Sequence, residues 1–247
     1  MLKPILGKCI DEYGKHFRAC FVSDGPHTPF LQESIEFGLF LVNKVVRRDM
    51  LDVQHISAYH LIYEKQTKLY ALLQKGSVRP VTDEASTEMF SILIDTLAQN
   101  GFEHYEISNF AKDKKYSVHN TSYWKNEKYI GLGPSAHSYN GKSRSWNVAS
   151  LEKYITEIQS GRLLQETEKL NSVQKYNEFI LTGLRTMWGV NLNLLKEEFG
   201  QELLDYCLQN ARKFIREGLI ISKDNSLIMT RKGIFISDGI MSELMRV

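Results

Sequence analysis

The feature that most constrains the fold is a strand, a helix and a second strand that follow one another between residues 55 and 108. His55 to Tyr63 reads HISAYHLIY, and its β-branched and aromatic residues predict a strand that is buried on both faces. A helix is predicted to begin at Thr82, with acidic residues in its first turn, and residues 102–108 are predicted to form the second strand. Because a crossover of this length joins parallel strands, the pattern predicts an α/β architecture.

Further elements flank this unit along the chain. Apolar residues three and four positions apart predict an amphipathic helix over 31–48. Further on, short strands on either side of the tight-turn pair Asn140-Gly141 predict an antiparallel pairing, with the return strand over 143–146. A helix capped by either Asn147 or Ser150 is predicted to follow.

The last third of the chain is predicted to be mainly helical. Periodic apolar residues predict helices over 173–187, 191–199 and 203–217, and these precede a small hairpin and a closing helix that begins at Thr230. This order of elements predicts a winged-helix-like module of about 80 residues.

The charge of the chain argues against nucleic-acid binding by such a module. Formal net charge is +2 over 247 residues, and residues 201–247 contain seven lysines and arginines against six aspartates and glutamates. Attraction to phosphates supplies most of the affinity of a protein for DNA, and a nearly neutral module lacks that attraction. We therefore predict no nucleic-acid partner and a packing role for the module.

Composition describes an ordinary globular protein. Apolar residues make up 43% and charged residues 24% of the chain. The first residues lack the apolar run of a secretory signal, and no apolar stretch approaches the ~20 residues that span a bilayer, so a cytoplasmic protein is expected. The three cysteines are too few and too dispersed for a disulfide framework, and we expect free thiols.

The residues with the strongest chemical character lie in an aromatic-rich stretch, residues 101–140, which the sequence predicts to be irregular and held on a scaffold. Within it, His119 is followed closely by Tyr123 and Trp124. An imidazole beside two flat rings suits a metal or a haem iron. A histidine that is hydrogen-bonded within an ordered loop is the alternative interpretation, and the residues alone leave both open.

Two weaker signals accompany this motif. Gly131 and Gly133 belong to a glycine-rich turn that brings the backbone close to a ligand or to another strand, without the third glycine of a dinucleotide fingerprint. Glu106 and Asn109 stand at the end of a predicted parallel strand, where α/β proteins place ligands, and they suit either a polar cofactor or the fixing of the next loop. Three other histidines are predicted to be structural: His55, His60 and His137.

Five motifs, taken in order, resemble one family. They read HISAYHLIYE, YEISNFA, HNTSYW, YIGLGPSAHSY and MTRKGIFISDGI. From about Leu51 to the C-terminus, the chain is similar to the C-terminal part of the HemW family, radical-SAM haem chaperones long described as oxygen-independent coproporphyrinogen III oxidase-like proteins. A true coproporphyrinogen III oxidase of porphyrin biosynthesis is the alternative within this enzyme class.

The resemblance implies a fold and a set of cofactors. It implies the C-terminal part of a (β/α) radical-SAM-type barrel over 51–164 and the family's C-terminal domain over 165–247, with 1–50 as a lead-in that does not match. It also implies haem, S-adenosylmethionine and a [4Fe–4S] cluster, and delivery of haem to an acceptor protein. The residues that it assigns to cofactor binding are Asn109, Phe110, Ala111, His119, Tyr123, Trp124, Gly131 and Gly133. Among these, His119 matches a proposed haem-iron ligand.

One family feature is missing from the printed sequence. Members hold their cluster with three cysteines in the pattern C-x3-C-x2-C, whereas no third cysteine lies near Cys9 and Cys20 here. Because a cluster needs converging thiolates, we expect none on this chain, and we expect a truncated or frameshifted member whose enzymatic activity is left open. A non-catalytic haem-binding fragment is therefore a further alternative. An incomplete barrel would expose a sheet edge, which predicts self-association or pairing with a separate N-terminal half.

Overall fold

The computed structural model describes residues 9–10, 16–20, 53–59, 63–78 and 80–246, and for the first two segments it describes the backbone pairing alone. The chain divides into two compact units, Met1–Tyr116 and Ser117–Val247. The predicted helix over 31–48 and His60 lie outside the described residues. The domain boundaries predicted after residues 50 and 164 stay predictions.

The first unit contains one mixed five-stranded sheet. Its strands are β1 (Cys9–Ile10), β2 (His16–Cys20), β3 (His55–Tyr59), β4 (Glu103–Glu106) and β5 (Asn109–Ala111). Their order across the sheet is β1-β2-β3-β5-β4. Strand β2 runs parallel to β3, and β5 runs antiparallel to both of its neighbours.

This order corrects the predicted pairing of β3 with the strand after the helix. The two strands do run in the same direction, but they are not neighbours, because the chain reverses at residues 107–108 and β5 fills the place between them. The Glu106 carboxylate stabilises the reversal by accepting hydrogen bonds from the Ser108 backbone N–H at 2.9 Å and from the Asn109 amide at 2.6 Å. The predicted second strand is therefore shorter than expected and continues into a hairpin.

Two helices connect β3 to β4. They are α1 (Lys68–Gln74) and α2 (Asp83–Gln99). The Thr82 hydroxyl accepts a hydrogen bond from the Ala85 N–H and caps α2, as the sequence predicts. The apolar side of α2 includes Phe90 and the fully enclosed Leu97, and Gly101 closes the helix at φ 80°.

The second unit begins with a helix and a small antiparallel sheet. Its first elements are α3 (Val118–Trp124), β6 (His137–Tyr139), β7 (Ser143–Asn147), α4 (Leu151–Gln159) and β8 (Gln165–Lys169). The strands pair in the order β6-β7-β8, and the predicted turn at Asn140-Gly141 joins the first two. Helix α3 and the polar strand β8 were not predicted. Because α3 lies within it, the stretch 101–140 is more regular than expected.

The rest of the second unit is largely helical, as predicted. Its elements are α5 (Ser172–Leu184), β9 (Val190–Asn191), α6 (Leu192–Arg216), β10 (Ile220–Lys223), β11 (Ser226–Met229), α7 (Arg231–Ile234) and α8 (Ser237–Leu244). Gly200, at φ 84° and ψ 174°, interrupts α6 and divides it into the two predicted helices. Strand β9 adds an unpredicted third strand to the predicted hairpin.

A continuous apolar core fills this helical part. Side chains of α5, α6, α8 and the hairpin meet in it, and the most enclosed of them include Tyr176, Ile180, Leu195 and Ile220. The protein thus has a mixed α/β fold with open sheets, and the described strands form no closed barrel. None of the helices in the described ranges is long and apolar enough to cross a membrane.

Candidate functional site

Helix α3 presents His119 and Tyr123 on the same exposed face. Ser117 begins the helix, because its hydroxyl accepts a hydrogen bond from the Asn120 N–H at 3.3 Å. Residues four positions apart are neighbours on a helix, and the rings of His119 and Tyr123 meet edge to face with centroids 4.9 Å apart. Val118, next to His119, leaves 81% of its surface exposed. This face of α3 therefore combines an imidazole with an aromatic ring, and Val118 adds exposed apolar surface beside His119.

The His119 side chain is available to a ligand. It is exposed, and within the described part of the chain its ring nitrogens make no hydrogen bond. His55, by contrast, is buried and its Nε2 lies 2.7 Å from the Tyr105 hydroxyl, which confirms the structural role predicted for it. His104 is likewise engaged, since its Nε2 lies 3.0 Å from the Ile107 carbonyl oxygen. Within the described residues, His119 therefore lacks the hydrogen bond that the alternative interpretation expects.

A row of tyrosine rings continues from Tyr123. The Tyr123 and Tyr129 centroids are 4.7 Å apart, and Tyr129 pairs through its backbone with Tyr139. Arg144 lies over the Tyr139 ring at 5.9 Å and forms an ion pair with Glu178 at 2.9 Å. Burial raises the pKa of Tyr139, with Glu178 as the next cause, so this tyrosine stays protonated at neutral pH. The row links α3 to the sheet β6-β7-β8.

Trp124 lies on a different side of α3 from His119. Five helical positions separate the two residues, which corresponds to about 140° around the helix axis. The indole Nε1 is buried and donates no hydrogen bond to a described residue, while the Arg185 guanidinium lies 5.0 Å from the centroid of the ring. Of the three motif residues assigned to cofactor binding, the structure therefore brings two together and places Trp124 apart.

The glycine-rich turn is fastened by one buried side chain, that of Asn147. Its Nδ2 donates to the Gly133 carbonyl oxygen at 2.8 Å and to the Gly131 carbonyl oxygen at 3.2 Å, while its Oδ1 accepts from Gln165 at 2.8 Å. Ser150, rather than Asn147, caps helix α4. The sequence pattern predicted Asn147 only as a possible cap, because a side chain that bonds to a turn distant in sequence leaves no local pattern.

At the glycine-rich turn, the backbone of Gly131 passes very close to the backbone at His137, the first residue of β6. A Cβ on Gly131 would lie 2.2 Å from the His137 carbonyl oxygen, so no larger residue fits without displacing the strand. The Gly131 N–H donates to the Ser138 hydroxyl at 2.9 Å, and the Gly133 N–H donates to the Tyr154 hydroxyl at 3.1 Å. At Gly131 the structure shows approach to another strand, whereas a Cβ on Gly133 would meet no atom within 4 Å. The assignment of both glycines to cofactor binding stays a prediction.

Asn109, Phe110 and Ala111 are buried in the sheet of the first unit. The Asn109 Oδ1 accepts from the Ser57 hydroxyl at 2.6 Å, and its Nδ2 donates to Glu106. The Phe110 ring stacks on His104 with centroids 4.3 Å apart. These side chains fix the β3-β5-β4 arrangement, and their assignment to cofactor binding stays a prediction.

A cavity of about 310 Å³ also lies in the first unit, between the end of β3 and the first turns of α2. Its lining is largely apolar and aromatic, with Tyr59, Tyr63, Met89 and Phe90 among the larger side chains. None of the residues assigned to cofactor binding lines it.

Cys207, the cysteine whose side chain the structure describes, does not fit an iron–sulfur cluster. Cys207 is fully enclosed in the core of the second unit, and burial raises the pKa of its thiol to about 11. A cluster ligand has to be a thiolate that faces the cluster with others like it. Among the described residues no group of three histidine, cysteine, aspartate or glutamate side chains could hold a metal ion.

Comparison with known proteins gives the relationship of the chain. The sequence profile of the HemN C-terminal domain matches residues 170–236. The heme chaperone HemW of Bacillus subtilis is 34% identical over 184 residues, which cover 74% of this chain and 48% of that protein. The chain is similar to the C-terminal part of the HemW family.

Other relatives extend this similarity. The mitochondrial radical S-adenosyl methionine domain-containing protein 1 of Danio rerio is 30% identical over 209 residues, covering 77% of this chain and 46% of the relative. The chain therefore spans about half the length of the curated HemW-like relatives that it matches.

A solved structure shares the fold. The radical SAM enzyme coproporphyrinogen III oxidase (HemN) of Escherichia coli superposes with a TM-score of 0.67 over 93% of this chain and 54% of the oxidase, at 16% identity. At that identity the likeness concerns the fold alone, and it agrees with the mixed α/β architecture described above.

Proposed function

We propose that this chain binds haem in the manner of a HemW-like haem chaperone, with His119 as the ligand of the haem iron. The observation that carries the proposal is the exposed His119 imidazole, whose nitrogens are not engaged by any described residue. A neutral imidazole is a common axial ligand of haem iron. The named relatives that are heme chaperones support haem as the cargo.

The surface around His119 suits a flat apolar ligand. Tyr123 remains 37% exposed and holds its ring against the imidazole, while Val118 adds an aliphatic side chain that is almost entirely in solvent. Contact with a porphyrin face would remove this apolar surface from water and so contribute to binding. In this proposal His119 binds the iron, and Tyr123 restricts the orientation of the imidazole.

The finer description of the fold belongs to the same proposal. We infer that the sheet β1–β5 with α1 and α2 corresponds to part of a (β/α) radical-SAM-type barrel, which the fold of the E. coli oxidase supports. We also infer that β10 and β11 form the wing of a winged-helix-like module. The sequence has no third cysteine near Cys9 and Cys20, and the buried Cys207 does not suit a cluster ligand, so we propose no radical step for this chain.

Haem titration tests the proposed function. Wild type should shift the Soret band of added haem, and His119→Ala should lose that shift or bind about tenfold more weakly or worse, a difference of roughly 1.4 kcal/mol or more. His137→Ala is the matched control, because His137 is also exposed and its ring lies beside an aromatic ring, that of Trp146, with centroids 5.8 Å apart.

The comparison of the two variants decides the outcome. If His119→Ala and wild type give the same spectra and affinities, His119 is not the iron ligand. If His137→Ala alone loses the Soret shift, the ligand has been assigned to the wrong exposed histidine.

A further inference from the structure

The C-terminal ends of α3 and α5 meet in the second unit, where α3 packs against α5. The residue that caps each of these ends is a cation, Lys125 after α3 and Arg185 after α5. Helix C-termini carry partial negative charge, so two such ends repel each other and each is stabilised by a cation. The sequence thus places positive charge where this packing requires it.

Each cation lies over a tryptophan of the other segment. The Arg185 guanidinium is 5.0 Å from the Trp124 ring centroid, and the Lys125 ammonium is 5.8 Å from the Trp188 centroid. Both distances are within the ~6 Å range of favourable cation–π contacts. We refer to Trp124, Lys125, Arg185 and Trp188 as the crossed pairs.

The two contacts of the crossed pairs differ in strength. Lys125 and Trp188 are exposed, so water weakens their attraction. Trp124 and Arg185 are half-buried, and the buried Trp124 Nε1 donates no hydrogen bond to a described residue. Trp124 is consequently held through the face of its ring, and Arg185 makes the stronger contact.

A helix as short as α3 needs such contacts. It has seven residues, and isolated helices of fewer than about 12 residues are unstable in water. Its sequence VHNTSYW is also poor in strong helix formers. Because His119 and Tyr123 lie on a different, exposed side of α3, the order of their face depends on how firmly Trp124 is held.

We propose that Arg185, acting through Trp124, is a positioning residue for the face of α3 that carries His119. The haem part of this inference rests on the proposed function, whereas the ordering of α3 does not. Arg185 belongs to the C-terminal domain that the HemN profile matches, so the inference assigns that domain a role in shaping the His119 face.

Hydrogen exchange on the full chain tests the ordering. In Arg185→Met, peptides that cover residues 118–125 should exchange about three- to tenfold faster than in wild type, which corresponds to loss of one partly desolvated cation–π contact. Arg185→Lys keeps the charge and should restore much of the protection. Arg212→Met, a change at an exposed arginine of α6, is the control and should leave these peptides unchanged.

The Trp124→Leu variant distinguishes loss of the Arg185–Trp124 contact from a general loss of structure. If the two residues act as a unit, adding Arg185→Met to Trp124→Leu should not accelerate exchange in α3 further. An additive acceleration, or unchanged exchange in Arg185→Met, overturns the inference. Peptides of α6 report global stability in each variant.

Haem titration separates this inference from the proposed function. If wild type binds haem, Arg185→Met should bind about three- to tenfold more weakly with an unchanged Soret position, because His119 remains the ligand. A shifted Soret position in this variant overturns the positioning role. If wild type gives no Soret change, the proposed haem binding is overturned, and the exchange result still decides whether Arg185 orders α3.

Discussion

Asn147 shows how much one buried amide can determine at the scale of the residue. Only 1% of its surface is exposed, and its two ends connect the glycine-rich turn to strand β8 through Gln165. The shape of the turn therefore depends on a residue that lies sixteen positions after Gly131 and fourteen after Gly133. The neighbouring aliphatic side chains Ile130 and Leu132 remain more than 80% exposed on this fixed backbone.

Replacement of Asn147 should destabilise the second unit. We expect Asn147→Ala to lower the free energy of unfolding by about 2–3 kcal/mol, because the Gly131 and Gly133 carbonyl groups lose their donor and Gln165 loses its acceptor. Urea denaturation followed by circular dichroism measures the change. Asn193→Ala, at an exposed position, should change it by no more than about 0.5 kcal/mol. Equal effects of the two substitutions would contradict the role given to Asn147.

Local spacing predicted one geometric feature of the candidate site, and the assignment of its residues to cofactor binding stays a prediction. The sequence brings His119 and Tyr123 within four positions of each other, and the structure places their rings in contact. It could not show that Trp124 faces elsewhere, because helix α3 was not predicted, and the Arg185 contact joins residues sixty-one positions apart. Long-range partners of this kind are invisible to spacing arguments.

At the scale of the element, the helices were better predicted than the strands. Helices α2, α5 and α6 carry long apolar periodicity and clear caps, and all three were expected. Strands β5 and β8 were missed for different reasons. Strand β5 has only three residues after a two-residue reversal, and β8 reads QETEK, so its order comes from pairing with β7 and not from apolar alternation.

Substitution of alanine for two glycines, Gly200 at the interruption of α6 and Gly239 in α8, should change the free energy of unfolding in opposite directions. Gly200 has a backbone conformation open almost exclusively to glycine, so Gly200→Ala should lower the free energy of unfolding by about 1–3 kcal/mol, although no atom obstructs the new Cβ. Gly239 lies in α8 with ordinary helical backbone and open space, so Gly239→Ala should raise it by about 0.5–1 kcal/mol. Thermal denaturation of both variants measures these changes. Stabilisation by Gly200→Ala would show that the helix runs through this point without the observed break.

At the scale of the whole molecule, the second unit contains its own core and its own sheets. The apolar cluster draws all of its buried members from residues 176–244, and the sheets β6-β7-β8 and β10-β11-β9 pair within the unit. The class of fold was predictable, because alternating strand and helix signals indicate α/β structure. The strand order was not, because pairing depends on contacts that sequence periodicity does not encode.

We expect a fragment of residues 117–247 to fold without the rest of the chain. Its circular dichroism should show a cooperative thermal transition, since its core is complete within these residues. A shorter fragment of residues 170–247 should keep the same core but lose α3 and the sheet β6-β7-β8. A non-cooperative transition in both fragments would mean that the second unit is not an autonomous folding domain.

The crossed pairs also have an evolutionary consequence. Because each contact joins a cation of one segment to a ring of the other, loss of either partner removes one of the interactions that favour the second. Positions 124 and 185 should therefore change together among related sequences, and so should positions 125 and 188. Exchange of cation and ring between the two members of a pair would preserve the contact. An alignment of relatives in which these positions vary independently would indicate that each is retained for a separate purpose.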